Sequence, residues 1–312
     1  MREIPLELTR GPFTVARAAE WGLSRRVLDG ARFRAPFPGV RVLAGAPDGV
    51  RERCAAARLI MPEHAAFSHD TAVRLGEWPT PLNAPPNGDL HISLAAGLDR
   101  PRVRGIRAHR VTWAPGDVVV VRGLRTTSPE RTWCDLAATG WSGLDLVVLA
   151  DAIRRRRDEG GTRLARRLDG WGSQRGARRL AQALALSADK VDSPMETRLR
   201  LLFLAAGLPT PQVNEWVIDE FGDRIHRPDL SWPRWRVAAD YDGAHHLQWD
   251  DEAEVVAGRR SNWRRRHDLT RQDQVATAGW QLRVFTAYDV LGTPQKAVTR
   301  MRDTLRRAGA PI

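Results

Sequence analysis

The stretch HRPDLSWPRWRVAADYDGAHH, residues 226–246, sets Asp229, Asp240 and Asp242 around a Trp-Pro-Arg-Trp turn. The apolar runs on either side read as the two strands of a hairpin. If Trp232 faces Trp235, Asp229 lies opposite Ala238 and diagonal to Asp240, while Asp240 and Asp242, two residues apart, share one face. Diagonal neighbours in a sheet stand about 7–8 Å apart at the backbone, a gap that two aspartates can close around one ion. Carboxylates gathered on one face repel one another, and burial raises that cost unless a cation sits among them. Two cations fit the residue pattern. Arginine, with Arg227 across from Asp240 or with Arg236, makes the cluster structural; a hard divalent ion such as magnesium makes it a catalyst of phosphate chemistry.

The flanking text frames this hairpin. In DSPMETRLRLLFLAAGLP, Ser193 is an N-cap, Pro194 suits the first helical position, and Gly207 with Pro209 ends the helix. Glu196, three residues after the cap, fits a capping box with or without a metal. Strands are expected at about 213–218, 225–232 and 235–242, then a polar loop, a helix over 261–278 ending at Gly279, the strand QLRVFT and a final helix. That order predicts an α/β sandwich around a mixed sheet over residues 191–312.

The preceding residues divide into three segments. Residues 1–48 read as helix, tight turn, helix and strand, the order of a winged helix-turn-helix, with Ser24 capping a second helix over SRRVLDGARF and a strand over FPGVRVL. Residues 49–150 mix helices with the strands LHISLAA, VRGIRAHRV and DVVVVRGL, and SPERTWCDLAATG is a helix capped by Ser128, so this is an α+β domain. His69, His91 and His109 lack ligand spacing and read as hydrogen-bonded or surface histidines. Residues 151–190 form an arginine-rich helical connector, broken at Gly160-Gly161 and GWGSQRG.

Charge is unevenly spread over the 312 residues: positions 1–190 hold 31 Lys and Arg against 20 Asp and Glu, and positions 191–312 hold 18 against 17. Nearly all the cations are arginine, which suits bidentate phosphate contacts, although a GC-rich coding bias gives the same composition. Cys54 and Cys134 are too far apart for a paired or metal spacing, and the N-terminal text has no apolar run fit for a signal peptide or membrane span. A cytoplasmic protein without membrane contact is expected.

Two resemblances sharpen these expectations. Glu196 on its helix, Pro228-Asp229, the acidic strand DYDGAHH, the arginine-rich helix and GWQLRVFTAYDV together resemble the PD-(D/E)xK nuclease superfamily over about residues 190–300. Within it, the likeness is to the uncharacterised branch related to very-short-patch-repair endonucleases. This implies a restriction-endonuclease-like fold in which Asp229 and Asp240 ligate Mg2+ or Mn2+ with the backbone carbonyl of Tyr241. Glu196 would orient a bound water or a second ion, and His246 would donate a proton or contact phosphate. Asp242 stands where the motif has lysine, so Arg266, Arg271 or His246 would supply the cation, with Arg264 and Arg265 completing a phosphate clamp. The segments FTVARAAEWGLSRRVLDGARF and FPGVRVLAG are similar to the winged-helix domain of type IV abortive-infection antitoxins, and AAFSHDTAVRLGEWPTP with TSPERTWCDLA to the domain after it. That likeness implies DNA binding through residues 24–31, with Arg25, Arg26 and Arg34 as contacts. The expectation is a metal-dependent endodeoxyribonuclease; its alternative is a non-enzymatic, antitoxin-type DNA-binding regulator with a degenerate nuclease domain and a cognate toxin as partner.

Overall fold

A computed structural model describes residues 4–219, 221–243 and 273–312. They form two compact units, Met1–Leu146 with Arg163–Ala181, and Val147–Thr162 with Gln182–Ile312. Both mix helices with sheet, and two of the sheets are themselves mixed, combining parallel and antiparallel pairs. No helix among the described residues is long and apolar enough to cross a membrane.

The first unit opens with β1 (Phe13–Thr14), α1 (Val15–Glu20), α2 (Arg25–Leu28), β2 (Phe33–Arg34) and β3 (Val40–Leu43). Thr14 Oγ1 caps α1 by accepting from Arg17 N at 3.1 Å. The three strands form an antiparallel sheet in the order β1-β3-β2, closed over Phe13, Ala18, Leu23, Leu28 and Phe33. The second helix is shorter than its pattern predicts, since Asp29 and Gly30 end it after one turn, and the strand expected over FPGVRVL keeps only its last four residues because Gly39 turns at φ +78°.

There follow α3 (Val50–Arg58), β4 (Ala66–Phe67), α4 (His69–Leu75), β5 (Leu90–Ala95), β6 (Ile106–Val111), β7 (Val118–Val121), β8 (Leu124–Thr127) and α5 (Pro129–Ala137). Ser128 caps α5 as its text predicts, accepting from Arg131 N at 3.2 Å. The sheet order is β6-β5-β4-β8-β7. β8 is hidden inside what reads as one strand: Arg122 and Gly123 both take positive φ, +51° and +78°, and fold the run into a two-residue hairpin. Three helices come next, α6 (Gly143–Arg156), α7 (Gly160–Trp171) and α8 (Ala177–Leu186).

The second unit is built on α9 (Pro194–Ala205), then β9 (Gln212–Val213), β10 (Val217–Ile218), β11 (Arg224–His226), β12 (Leu230–Trp232) and β13 (Val237–Asp242). Residues 273–277 are helical (α10), and β14 (Gln281–Thr286) and α11 (Pro294–Arg307) complete it. A four-stranded sheet runs β14-β13-β12-β9, with β13 and β14 parallel and the rest antiparallel. Leu230, Trp232, Val237, Ala239 and Phe285 from its core face pack on Leu199 and Phe203 of α9 and on Met301 and Leu305 of α11. A buried ion pair adds to this core: Arg200 donates to Asp151 at 2.8 Å, and Asp151 also accepts from Thr197 Oγ1 and Ala188 N.

Two expected strands are interrupted. The one at 213–218 splits because Asn214 adopts φ +51°, and the one at 225–232 splits at Pro228, which has no N–H for a ladder. The hairpin register also moves. Trp232 pairs with Val237, not Trp235, because Pro233 cannot take the positive φ of a two-residue hairpin turn; the loop runs through Arg236 at φ +49° instead. Ser231, rather than Asp229, therefore faces Ala238.

Candidate functional site

The two-residue shift keeps every side chain on its expected face and brings the acids nearer together than the assumed register does. Leu230 faces Ala239, so Asp229, one residue back, comes level with Asp240. The two are braced through the backbone: Tyr241 N donates to Asp229 Oδ2 at 2.6 Å, and Asp229 N donates to Asp240 Oδ1 at 3.3 Å. On β13, Val237, Ala239 and Tyr241 turn to the core, which leaves Asp240 and Asp242 on the opposite face.

Glu196 approaches from the first turn of α9. Ser193 Oγ caps this helix as predicted, accepting from Glu196 N at 3.2 Å, but Glu196 Oε2 reaches back past the cap to Asp192 N at 2.9 Å. The same oxygen accepts from Asn214 Nδ2 at 3.0 Å, and Asn214 N donates to the carbonyl of Asp229 at 3.1 Å. The left-handed backbone at Asn214 is what aims both its amide groups at once, and Asn is among the few residues that adopt it readily. Glu196 and Asp240 are both buried, with 6% of their surface exposed.

Burial drives the Asp229 carboxyl up to about 8, and the nearby charges of Glu196, Asp240 and Asp192 push in the same direction against the hydrogen bond from Tyr241. The cluster thus concentrates negative charge, and one aspartate answers by keeping its proton near neutral pH. The arginine expected beside Asp240 is elsewhere: Arg227 is turned to Asp192, which also meets Arg155 at 3.0 Å. In its place stands His226, whose Nε2 lies 2.9 Å from Asp240 Oδ2 and 3.2 Å from Oδ1. Sequence reasoning misses His226, which ends β11; its signal is a position three residues before Asp229 in HRPD.

Among the other expected residues, Tyr241 stands beside Asp229, to which its N–H donates. Asp242 ends β13, level with Thr286 of β14. His246, Arg264, Arg265, Arg266 and Arg271 lie outside the described residues. In the first unit Arg25 and Arg26 are exposed on α2, Arg25 standing 3.8 Å from Asp29. Arg34 instead folds onto the following loop, donating to Asp48 at 2.6 Å and to the carbonyls of Ala46 and Pro47.

The histidines that spacing sets aside do come together. Among the described residues, His69, His91 and His109 are the one group of three ligand side chains whose donor atoms all lie within 4.8 Å of one another; Glu196, Asp229 and Asp240 do not form such a group. Their spacing carries no signal because the three sit on different elements, and strand pairing alone unites them.

No family model matches the chain, and no solved structure matches it significantly. The chain is similar to two proteins of Mycobacterium tuberculosis strains, the uncharacterized proteins MT2308 and Rv2248, each 29% identical over 139 residues. The match covers 43% of this chain and 46% of each relative, so the chain spans less than half the length of the curated proteins it matches.

Proposed function

We propose that the second unit is a divalent-metal-dependent DNA endonuclease domain of restriction-endonuclease-like fold, and that the first unit, read as a winged helix followed by an α+β domain, grips the DNA. The observation that carries the reading is the Asp229–Asp240 pair. Two carboxylates are locked side by side by backbone N–H groups, Tyr241 N on Asp229 and Asp229 N on Asp240, beside a buried glutamate, and burial with the neighbouring negative charge keeps Asp229 protonated near neutral pH. The donors fit a hard ion: they are carboxylate oxygens, and a cation between them would offset the burial and the repulsion that together hold the Asp229 proton.

Asp229 and Asp240 would hold the ion, and Mg2+ or Mn2+ there would supply charge neutralisation on the scissile phosphate and activation of water. The remaining work belongs to the chain. His226 fixes the rotamer of Asp240, and Asn214 with the Asp192 amide fixes Glu196 at the border of the site. Exposed Arg25 and Arg26 supply phosphate contacts in the first unit, where Arg10, Arg32, Arg51 and Arg53 also line an open groove.

Two observations favour a second reading. Asp240 already engages His226, and Asp242 occupies the place of the motif lysine, so the acids can be satisfied without an ion. On that reading the protein is a DNA-binding regulator of antitoxin type, with a toxin as partner. Nicking of supercoiled plasmid in Mg2+ or Mn2+ separates the two. The nuclease reading expects relaxation by the wild type that is abolished by Asp240→Asn; binding of plasmid without cutting in either metal sustains the regulator.

A further inference from the structure

We propose that His69, His91 and His109 form a binding site in the first unit for a first-row transition-metal ion of the zinc class, separate from the acids of the second unit. The fold builds this site from three adjacent elements. β5 and β6 run parallel with His91 level with Arg107 and Ser93 level with His109, so the two histidines stand on one face, one step apart on neighbouring strands. β4 pairs with the other edge of β5, and the chain leaves β4 through Ser68, whose N donates to the His91 carbonyl at 2.9 Å. His69 follows at φ +51°, a strained backbone for a residue with a Cβ, and this turn lays its imidazole over His109 with ring centroids 3.9 Å apart.

The nitrogens are arranged as ligands are. His91 Nδ1 and His109 Nε2 face each other at 3.0 Å. Two nitrogens bound to one tetrahedral zinc at about 2.05 Å stand about 3.3 Å apart, so this pair is already at ligand separation. His69 completes the group within 4.8 Å and needs to move by about 1.5 Å at most to reach the same spacing. Its Nδ1 is held at 3.0 Å by Ser68 Oγ, to which Ser93 Oγ donates at 2.8 Å, and Ser68 and Ser93 are fully buried. With Nδ1 so occupied, Nε2 is the nitrogen left for a metal, the outer-shell arrangement that fixes a ligating imidazole.

The surroundings keep the rings in their binding form. Burial holds each ring below the ordinary histidine value, with the neighbouring histidines adding to the effect at His69 and His109 and Arg107 at His91, and His109 lies at about 4, so a metal need not compete with protons near neutrality. Asp70, held by Trp141 Nε1 at 2.8 Å, has a field that acts favourably on a cation at His91 and His109, and Asp89 adds to it at His91. Arg107, Arg131, Arg74 and Arg100 oppose it. Three imidazoles select zinc, cobalt, nickel or copper over magnesium, and leave a fourth position for water or an anion.

The test uses the full-length chain stripped with chelator and titrated with Co2+. One equivalent is expected to bind with the visible absorption of four-coordinate cobalt, and Zn2+ should displace it. His91→Gln and His109→Gln should each abolish the signal, whereas Asp229→Asn and a His245→Gln/His246→Gln variant retain it. If the histidine variants fail to fold, the wild type alone decides: Zn2+ must raise its melting temperature at concentrations where Mg2+ has no effect. Absence of cobalt absorption and of zinc stabilisation, or a signal that survives both histidine substitutions, overturns the proposal and leaves the three rings as a hydrogen-bonded stack.

Discussion

His226 Nε2 sits 2.9 Å from Asp240 Oδ2, so the most buried aspartate of the cluster is gripped by the last residue of β11, the strand before the hairpin. Under the nuclease reading this grip positions a metal ligand. His226→Ala is expected to raise the metal concentration needed for half-maximal plasmid nicking by about tenfold, the scale of removing an outer-shell partner, while His226→Gln restores part of it. An unchanged metal dependence in both variants would remove His226 from the site.

The proton on Asp229 has a consequence for stability. Its folded-state value of about 8 lies above that of an unfolded aspartate, 3.8, so between these limits the folded chain holds a proton that the unfolded chain has released. Without metal, stability should therefore fall as pH rises through this window, by at most about 1.4 kcal/mol per pH unit from this group. Denaturant titrations in chelator, wild type against Asp229→Asn, isolate the effect: the variant should gain on the wild type steadily from acid to mildly alkaline pH. Parallel curves would show that Asp229 holds no such proton.

The Arg200–Asp151 pair is 6% and 2% exposed at its side chains, so each charge depends on the other in place of water. Removing one partner leaves a buried charge, and Asp151→Ala should therefore cost about 3–5 kcal/mol in a denaturant titration, a double apolar replacement much less. Equal losses in the single and double variants would show that packing, not charge, sets the value of this site.

DNA contact in the first unit is tested through salt. If the exposed Arg25 and Arg26 meet phosphates, the double variant Arg25→Ala/Arg26→Ala should weaken binding to any duplex and lower the slope of log affinity against log salt by roughly one for each phosphate no longer neutralised. Arg34→Ala should leave that slope alone and act on stability, because its guanidinium is spent on Asp48 and two carbonyls.

How far the amino-acid sequence announces these features varies with the physics involved. Local signals read well: the caps of α5 and α9, the strands Leu90–Ala95 and Gln281–Thr286, and the facing of the acids all follow from neighbouring residues. The face survives a wrong register because the error is two residues, and side chains alternate with period two. What escapes reading depends on backbone conformations that ordinary residues rarely take. Asn214, Arg122 and Arg236 all have positive φ, and they break one strand, create a hairpin and lengthen a turn. His226 and the three-histidine cluster are hidden for another reason: strand pairing and chain folding bring together residues whose sequence separation says nothing.

The central claim is that Asp229 and Asp240 share a divalent cation, and calorimetric titration of the full-length chain with Mn2+ tests it most directly. Because Asp229 carries a proton in the metal-free protein, binding near neutral pH should release close to one proton, seen as a heat that depends on the buffer's ionisation enthalpy, and this release should vanish well above pH 8. Asp240→Asn should abolish the binding. Mn2+ that binds with no proton release, or equally well to Asp229→Asn and Asp240→Asn, would contradict it.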